Sequence, residues 1–305
     1  MAIGKQGRKI AIVGASGTIG GPTLAALLEI GIHTITILSR AESDAVFLPG
    51  IEVKKGSYTD QSFLVSALQG NDIMLLAIGR LGRDAQIPII QAAAIAGVRW
   101  VVPSEFGPDP YAPLVKESPI IASKKKYRDL AEELGLSWIS VVCNPYLDWS
   151  LENGYWSIDI KGRKAKLVDG GNSKFNTTTV NQTAKGVAAL LSLTDAELSR
   201  YKNKPVFLSS VYTSIREMVD SVIRATGSSE SDWDIKAVTY DDIIKATRVE
   251  ATKGNLMAMV EEFYAVNTRE GFGGDYQSKA LADMKLLGME QEDLDSVVRQ
   301  VVRDI

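Results

Sequence analysis

A 305-residue chain with 45% apolar residues, 23% charged residues and a net charge of −3 has the balance of an ordinary globular protein and can bury a substantial core. The slight negative charge excludes a general attraction to nucleic acid, the single cysteine Cys143 excludes an internal disulfide, and no apolar run approaches the roughly 20 residues that span a bilayer. Met1 to Lys9 carries neither the apolar core of a signal peptide nor an Arg- and Ser-rich transit pattern, so a cytoplasmic protein with a small-molecule partner is expected, as a monomer or a homodimer, with no nucleic acid and no membrane as partner.

Lys9 to Pro22 reads as a buried strand breaking into a glycine turn that opens a helix. Ile10 to Val13 is apolar and β-branched, as a parallel strand covered on both faces requires. Gly14, Gly17 and Gly20 follow at three-residue intervals. The first suits a tight turn, the second lets backbone amides approach a pyrophosphate, and the third lets the helix lie close to the strand. A helix starting near Thr18, continued by Leu24 to Leu28, would present unpaired amides and a positive dipole end to phosphates. Ser16, Thr18 and Ile19 join the three glycines as candidate cofactor contacts.

Thr34 to Leu38 is a second strand ending at Ser39-Arg40, where a dinucleotide fold shows its preference. An acid there accepts the ribose hydroxyls of NAD, whereas an arginine accommodates the extra phosphate of NADP. Arg40 beside Ser39 therefore points to NADPH, with Glu42 and Asp44 as competitors for the guanidinium. Ile51 to Gly56 is a third strand, and Asp60 reads as the N-cap of a helix over Gln61 to Leu68, or as a residue at the adenine edge with Tyr58. The fourth strand, Asp72 to Ile78, halts at Gly79. Ligands of open α/β sheets bind outside the carboxyl ends of strands, so Ile78 and Gly79 should touch the cofactor. A helix over Gln86 to Ala96 and a strand over Val98 to Val102 follow.

Pro103 to Pro110 holds three prolines and a glycine in eight residues, which makes a rigid loop at the edge that carries the glycine turn. Ser123-Lys124-Lys125-Lys126 then opens a helix running to Leu134, with Gly135 as its stop. Successive residues on a helix point about 100° apart, so at most one of these lysines enters a cleft. After a strand over Trp138 to Val142 come Cys143-Asn144-Pro145-Tyr146. Cys143 reads as a small buried residue and not as a nucleophile, because the only histidine, His33, precedes the second strand; no histidine-based triad or metal site can be built.

Beyond Leu151 the alternation loosens. Ser157 to Ile160 and Ala165 to Val168 read as a hairpin, Asn181 as the cap of a helix to Leu191, Thr194 to Glu197 as a capping box, and Pro205 to Ser209 as a late strand. Helices are expected near Ser214 to Ala225, Tyr240 to Gly254 and Asn255 to Val266. Leu256, Met257, Met259, Val260 and Phe263 read as a packing surface or a pocket wall in the last of them, and not as a cofactor box; Gly271 to Gly274 reads as a mobile turn.

Taken together, Gly14-x-x-Gly17-x-x-Gly20, the stretch from Gly31-x-His33-Thr34 to Arg40, Gln86, Pro103-Ser104-Glu105-Phe106-Gly107, and Lys124 with Asn144 resemble the isoflavone reductase-like group within the NmrA-like branch of atypical short-chain dehydrogenases. The resemblance covers about the first half in detail. It implies an α/β fold: a Rossmann-type doubly wound parallel sheet that binds NADPH over residues 1–150 with returning segments from about 175–212, and a smaller C-terminal α/β substrate domain mainly over 151–305. The implied activity is reduction of a small aromatic or conjugated carbonyl-type substrate. Matching from Asn144 back through Gly135 without a gap puts the family's catalytic lysine at Lys124, with Lys126 at a neighbouring position that is also often lysine. Implied cofactor contacts extend to Gln86, Ser104, Glu105, Phe106, Lys124 and Asn144, and substrate contacts to Phe106, Tyr146 and Trp149.

The chemistry agrees with that assignment. Hydride delivery leaves negative charge on an oxygen, and an ammonium there stabilises it or supplies the proton; burial would bring its pKa toward working pH. Ordinary short-chain dehydrogenases use Tyr-x-x-x-Lys, and no tyrosine here has lysine four residues on; Tyr111 misses by one, at Lys116. Pro145 to Trp149 departs from the plant members and Lys174 to Thr179 looks more like microbial ones, so plant substrates are not carried over. The rival implied by the same branch is a non-catalytic NAD(P)-sensing regulator, which retention of Lys124 disfavours.

Overall fold

The computed structural model describes residues 4–305; Met1 to Ile3 and the side chains of Leu81 and Leu256 lie outside the described residues, and with them part of the readings of Met1 to Lys9 and of the packing surface at Leu256. In chain order the first half holds β1 (Lys9–Val13), α1 (Gly20–Ile30), β2 (Thr34–Arg40), β3 (Glu52–Gly56), α2 (Gln61–Leu68), β4 (Ile73–Leu76), α3 (Gln86–Ile95), β5 (Trp100–Val102), the short α4 (Leu114–Glu117) and α5 (Pro119–Ala122), α6 (Lys125–Glu133) and β6 (Ser137–Val142). The second half holds α7 (Leu147–Glu152), β7 (Ile158–Asp159), β8 (Lys164–Val168), β9 (Phe175–Thr177), α8 (Val180–Leu191), α9 (Asp195–Leu198), β10 (Lys204–Phe207), β11 (Val211–Thr213), α10 (Ile215–Ala225), β12 (Asp234–Val238), α11 (Tyr240–Thr252), α12 (Leu256–Asn267), α13 (Gln277–Leu287) and α14 (Leu294–Asp304).

Seven of the strands form one parallel sheet in the order β3-β2-β1-β4-β5-β6-β10. The side chains of β1 alternate between its two faces. Ile10 and Ile12 pack with Leu24 and Leu27 of α1 and with Val187 and Leu191 of α8, while Ala11 and Val13 pack with Leu64, Ile89 and Ala131 of α2, α3 and α6. The chain winds outward from β1 to β3, then returns to β4 on the other side of β1. That reversal opens a crevice outside the carboxyl ends of β1 and β4, where ligands of such sheets bind.

Outside α8, α9, β10 and α13, which belong to the first core, residues after β6 build a second cluster, with several elements that no local pattern marks. β12 joins β8 in parallel beside the expected β7–β8 hairpin, and β9 pairs with β11 antiparallel. Their core is Trp156, Phe175, Met218, Val222 and Val298, with α10 against α14. Two expectations need correction. α8 is capped by Thr179, whose side chain accepts from the Gln182 amide at 3.1 Å, so Asn181 lies inside the helix. The turn from Gly271 to Gly274 is pinned: Gly273, at φ 98°, lies against Ala112, and the Gly274 carbonyl accepts from Asn144 at 3.0 Å and from the Asn176 amide at 2.9 Å. On α12, Val260 and Phe263 pack into the core, while Met257, 54% exposed, lines a cavity against the β7–β8–β12 sheet. No helix among the described residues is long and apolar enough to cross a membrane.

Candidate active site

The glycine turn is built where side chains cannot stand. A Cβ on Gly14, at φ 84°, would lie 2.3 Å from the Ala77 carbonyl oxygen, and one on Gly20 only 2.0 Å from the Gly14 carbonyl oxygen. Both neighbours are backbone and cannot yield. α1 begins with Ile19 as N-cap; no side chain caps it and its first turn has no acid. Helix-start amides left without a side-chain partner are donors for an anion. This turn fits a dinucleotide pyrophosphate: Ser16, Gly17 and Thr18 are exposed above it, and a Cβ on Gly79 would meet nothing within 4 Å.

At the end of β2, Ser39 is buried and Arg40 is solvent-facing, its Nη1 3.4 Å from Glu42 in a loose exposed pair. The anticipated competitor is present but leaves the guanidinium accessible. Asp60 caps α2, accepting from the Phe63 amide at 3.1 Å, and the Tyr58 hydroxyl donates to the Leu38 carbonyl at 3.0 Å; both side chains are engaged in structure at this edge.

Past the crevice runs a cleft of about 480 Å³ lined by Gly17, Thr18 and Ile19, by Ala77 to Arg80 and Arg83, by Ser104, Glu105 and Phe106, and by Lys124, Tyr146 and Trp149. Four strand ends therefore contribute to one wall. Ser104 donates to the Ile78 carbonyl at 2.7 Å, and buried Gln86 accepts from the Ser104 amide at 2.8 Å, so Gln86 braces the wall from behind. Two other cavities are larger, at about 620 and 590 Å³. One lies among Asp148, Glu292 and α14, the other between the β7–β8–β12 sheet and α11–α12, and neither includes the glycine turn.

Of the three lysines only Lys124 enters the cleft. Lys125 pairs with Asp129 at 2.7 Å and Lys126 with Asp84 at 2.6 Å, both in solvent. The Lys124 ammonium donates to the Glu105 carbonyl and is buried. Burial above all, with the Arg83 charge acting in the same direction against the Glu105 carboxylate, brings its pKa from 10.5 down to about 8. The Glu105 carboxylate is turned to Arg128 at 2.5 Å, both side chains being buried. Thus Glu105 presents its main chain to the cleft and keeps its charge behind it.

Phe106, Tyr146 and Trp149 are brought together on the same wall. Trp149, 37% exposed, stacks on Tyr155 at 5.1 Å, which stacks on Tyr264 at 5.7 Å, so an aromatic ledge extends from the cleft. Asn144 is not brought to the cleft. At φ 53° it turns inward, donating to the Asn176 and Gly274 carbonyls at 2.7 and 3.0 Å and accepting from Asn267 at 3.2 Å. The family resemblance implied a cofactor contact for it, but here its side chain ties two segments together. Cys143 is fully buried and burial pushes its thiol up to about 12, which rules out a thiolate at neutral pH. His33 contacts Ser192 at 2.9 Å beside the amino end of β1, away from the cleft. Arg80 and Arg83 went unforeseen. They lie in a short 3₁₀ turn, Arg80–Ala85, which no periodicity marks; the available signal was two arginines just past an apolar strand end.

The model of the NmrA-like family matches residues 6–291. Oxidoreductase aprR of Aspergillus flavus is 25% identical over 301 residues, covering 97% of this chain and 99% of that protein. The isoflavone reductase of Pisum sativum is 27% identical over 169 residues, or 48% of this chain and 53% of its own. Among solved structures, the binary complex of leucoanthocyanidin reductase with NADPH from Vitis vinifera superposes with a TM-score of 0.78 at 20% identity, covering 97% of this chain and 99% of that one.

Proposed function

Because the chain belongs to the NmrA-like family, we propose that it is an NADPH-dependent reductase of a small aromatic or conjugated carbonyl-type substrate, with Lys124 as its catalytic residue. Near-full-length similarity to an oxidoreductase supports the class of activity, and the similarity of fold to a reductase solved with NADPH supports the choice of cofactor, together with Arg40. The single observation that carries the reading is the buried Lys124 amine, held near working pH in the cleft that the glycine turn opens into.

The glycine turn and the start of α1 would hold the pyrophosphate, and Ser39 and Arg40 the adenosine ribose with its phosphate. Bound NADPH supplies a hydride. The remaining work belongs to the protein. Lys124 stabilises the oxygen that becomes negative, or gives it a proton, and with a pKa of about 8 its amine can do either near neutral pH. The Glu105 carbonyl fixes the amine, and the buried Glu105–Arg128 pair fixes the loop carrying that carbonyl. Phe106, Tyr146 and Trp149 offer flat apolar surface to a conjugated ring and keep water off the reacting atoms. Residues 1–150, with returning segments near 175–212, serve the cofactor in this reading, and 151–305 mainly the substrate.

NADPH oxidation against enones, quinones and aryl ketones tests the proposal. Turnover by the wild type and its loss in Lys124→Ala, with NADPH binding retained, is the expected result. Tight NADPH binding with no turnover of any substrate would favour the sensing regulator. For the cofactor, Arg40→Ala should weaken NADPH by about tenfold or more and leave NADH nearly unchanged.

A further inference from the structure

Two cations in the cleft, Arg80 and Arg83, have no task in the chemistry above. Arg83 is half-buried on the cleft wall, its Nη1 donating to the Ile120 carbonyl at 3.1 Å. Burial lowers its pKa, and a guanidinium withdrawn from water is costly unless an anion meets it. The two carboxylates whose charge reaches it are committed elsewhere. Asp84 accepts from Lys126 at 2.6 Å and from Tyr127 at 2.9 Å, and Glu105 accepts from Arg128 at 2.5 Å. Among the described residues no carboxylate stands within ion-pair distance of Arg83.

Its neighbours add to the imbalance. Arg80 lines the same cleft and repels Arg83, and Arg83 in turn repels the Lys124 ammonium. Three cations therefore face a cleft whose one carboxylate is neutralised from behind. An anion entering there would relieve a repulsion already present, and a guanidinium fork matches a planar carboxylate in both shape and charge.

We propose that Arg83 binds the carboxylate of an acidic substrate, so that the reductase described above, on which this inference rests, acts on an aromatic or conjugated acid and holds its ring against Phe106 and Trp149. The other anion available to this wall is the pyrophosphate of the cofactor, and the assay separates the two.

Two probes of one shape are titrated by calorimetry into the full chain saturated with NADP⁺: 4-acetylbenzoate and its methyl ester. The acid is expected to bind about 10- to 100-fold more tightly, with the difference shrinking as salt is added. Arg83→Gln should abolish the preference and Arg83→Lys restore part of it, while both variants bind NADP⁺ within about twofold of wild type and melt with it. Equal binding of acid and ester, or binding of neither, overturns the proposal. So does weakened NADP⁺ binding in Arg83→Gln, which would give the guanidinium to the pyrophosphate. Turnover of neutral ketones with no preference for acids sinks this inference and leaves the reductase standing. Acid binding that depends on Arg83, without turnover of any conjugated carbonyl, sinks the reductase and leaves the anion site standing.

Discussion

Replacing Lys124 by methionine should make the protein more stable and inactive at once. The ammonium is brought from 10.5 to about 8, chiefly by burial. At roughly 1.4 kcal/mol per unit, the protonated side chain costs the fold about 3 kcal/mol at neutral pH. Methionine fills similar space without a charge, but the Glu105 carbonyl loses its donor, a loss of about 1 kcal/mol. The net gain of about 2 kcal/mol corresponds to a melting temperature about 3 °C higher for a chain of this size. Below pH 8 the folded and unfolded forms of the wild type are both protonated at this lysine and the cost is complete. Between about 8 and 10.5 the unfolded chain holds more protons, so wild-type stability rises with pH and the variant's advantage closes. Scanning calorimetry at pH 7 and pH 10 reads the difference, and NADPH oxidation should fall at least about 100-fold. A variant that melts below wild type at pH 7, or that turns over at the wild-type rate, would refute the reasoning.

The rate should also fall as pH rises through about 8, where the amine loses its proton, if the ammonium is the acid; a profile flat from pH 7 to 10 would contradict that role. Gly20→Ala would drive a Cβ to 2.0 Å from the Gly14 carbonyl oxygen, so a loss of at least about 1–3 kcal/mol in stability is expected, with weaker NADPH binding by fluorescence quenching; wild-type values in both would show that the turn can yield. Arg128→Met leaves the Glu105 carboxylate buried and unpaired and should cost about 3–5 kcal/mol in chemical denaturation, most of which Glu105→Gln in the same chain recovers.

The first half of the fold was legible because its signals are local. Ile10 to Val13, Thr34 to Leu38 and Asp72 to Ile78 are apolar runs bounded by turn residues; the first two fall inside β1 and β2 and the third encloses β4. Asp60 caps its helix as read, because an Asx cap needs only the next three residues. β9, β11 and β12 escaped for the opposite reason. Each is three to five residues long, and each is held by a partner remote in sequence, as Asp234 to Val238 is by Lys164 to Val168. The choice of Thr179 over Asn181 as cap was likewise a contest between two good capping residues that local pattern does not decide.

Within the site, helical geometry limited the lysines to one, and the structure selects Lys124 by burying it while Lys125 and Lys126 find carboxylates in solvent. Asn144 entered as a cofactor contact through the family resemblance; its φ and its partners on distant segments, which no local pattern announces, place its side chain in a corner. Arg83 gave no signal of its own, since its meaning comes from the engagement of Asp84 and Glu105 by other cations.

A crystal structure of the protein with NADP⁺ tests the central claim most directly. The pyrophosphate is expected on the amides at the start of α1 and the nicotinamide ring beside Phe106, with the Lys124 amine facing the ring across the cleft. A pyrophosphate elsewhere, or a ring from which that amine is screened by protein, would contradict it.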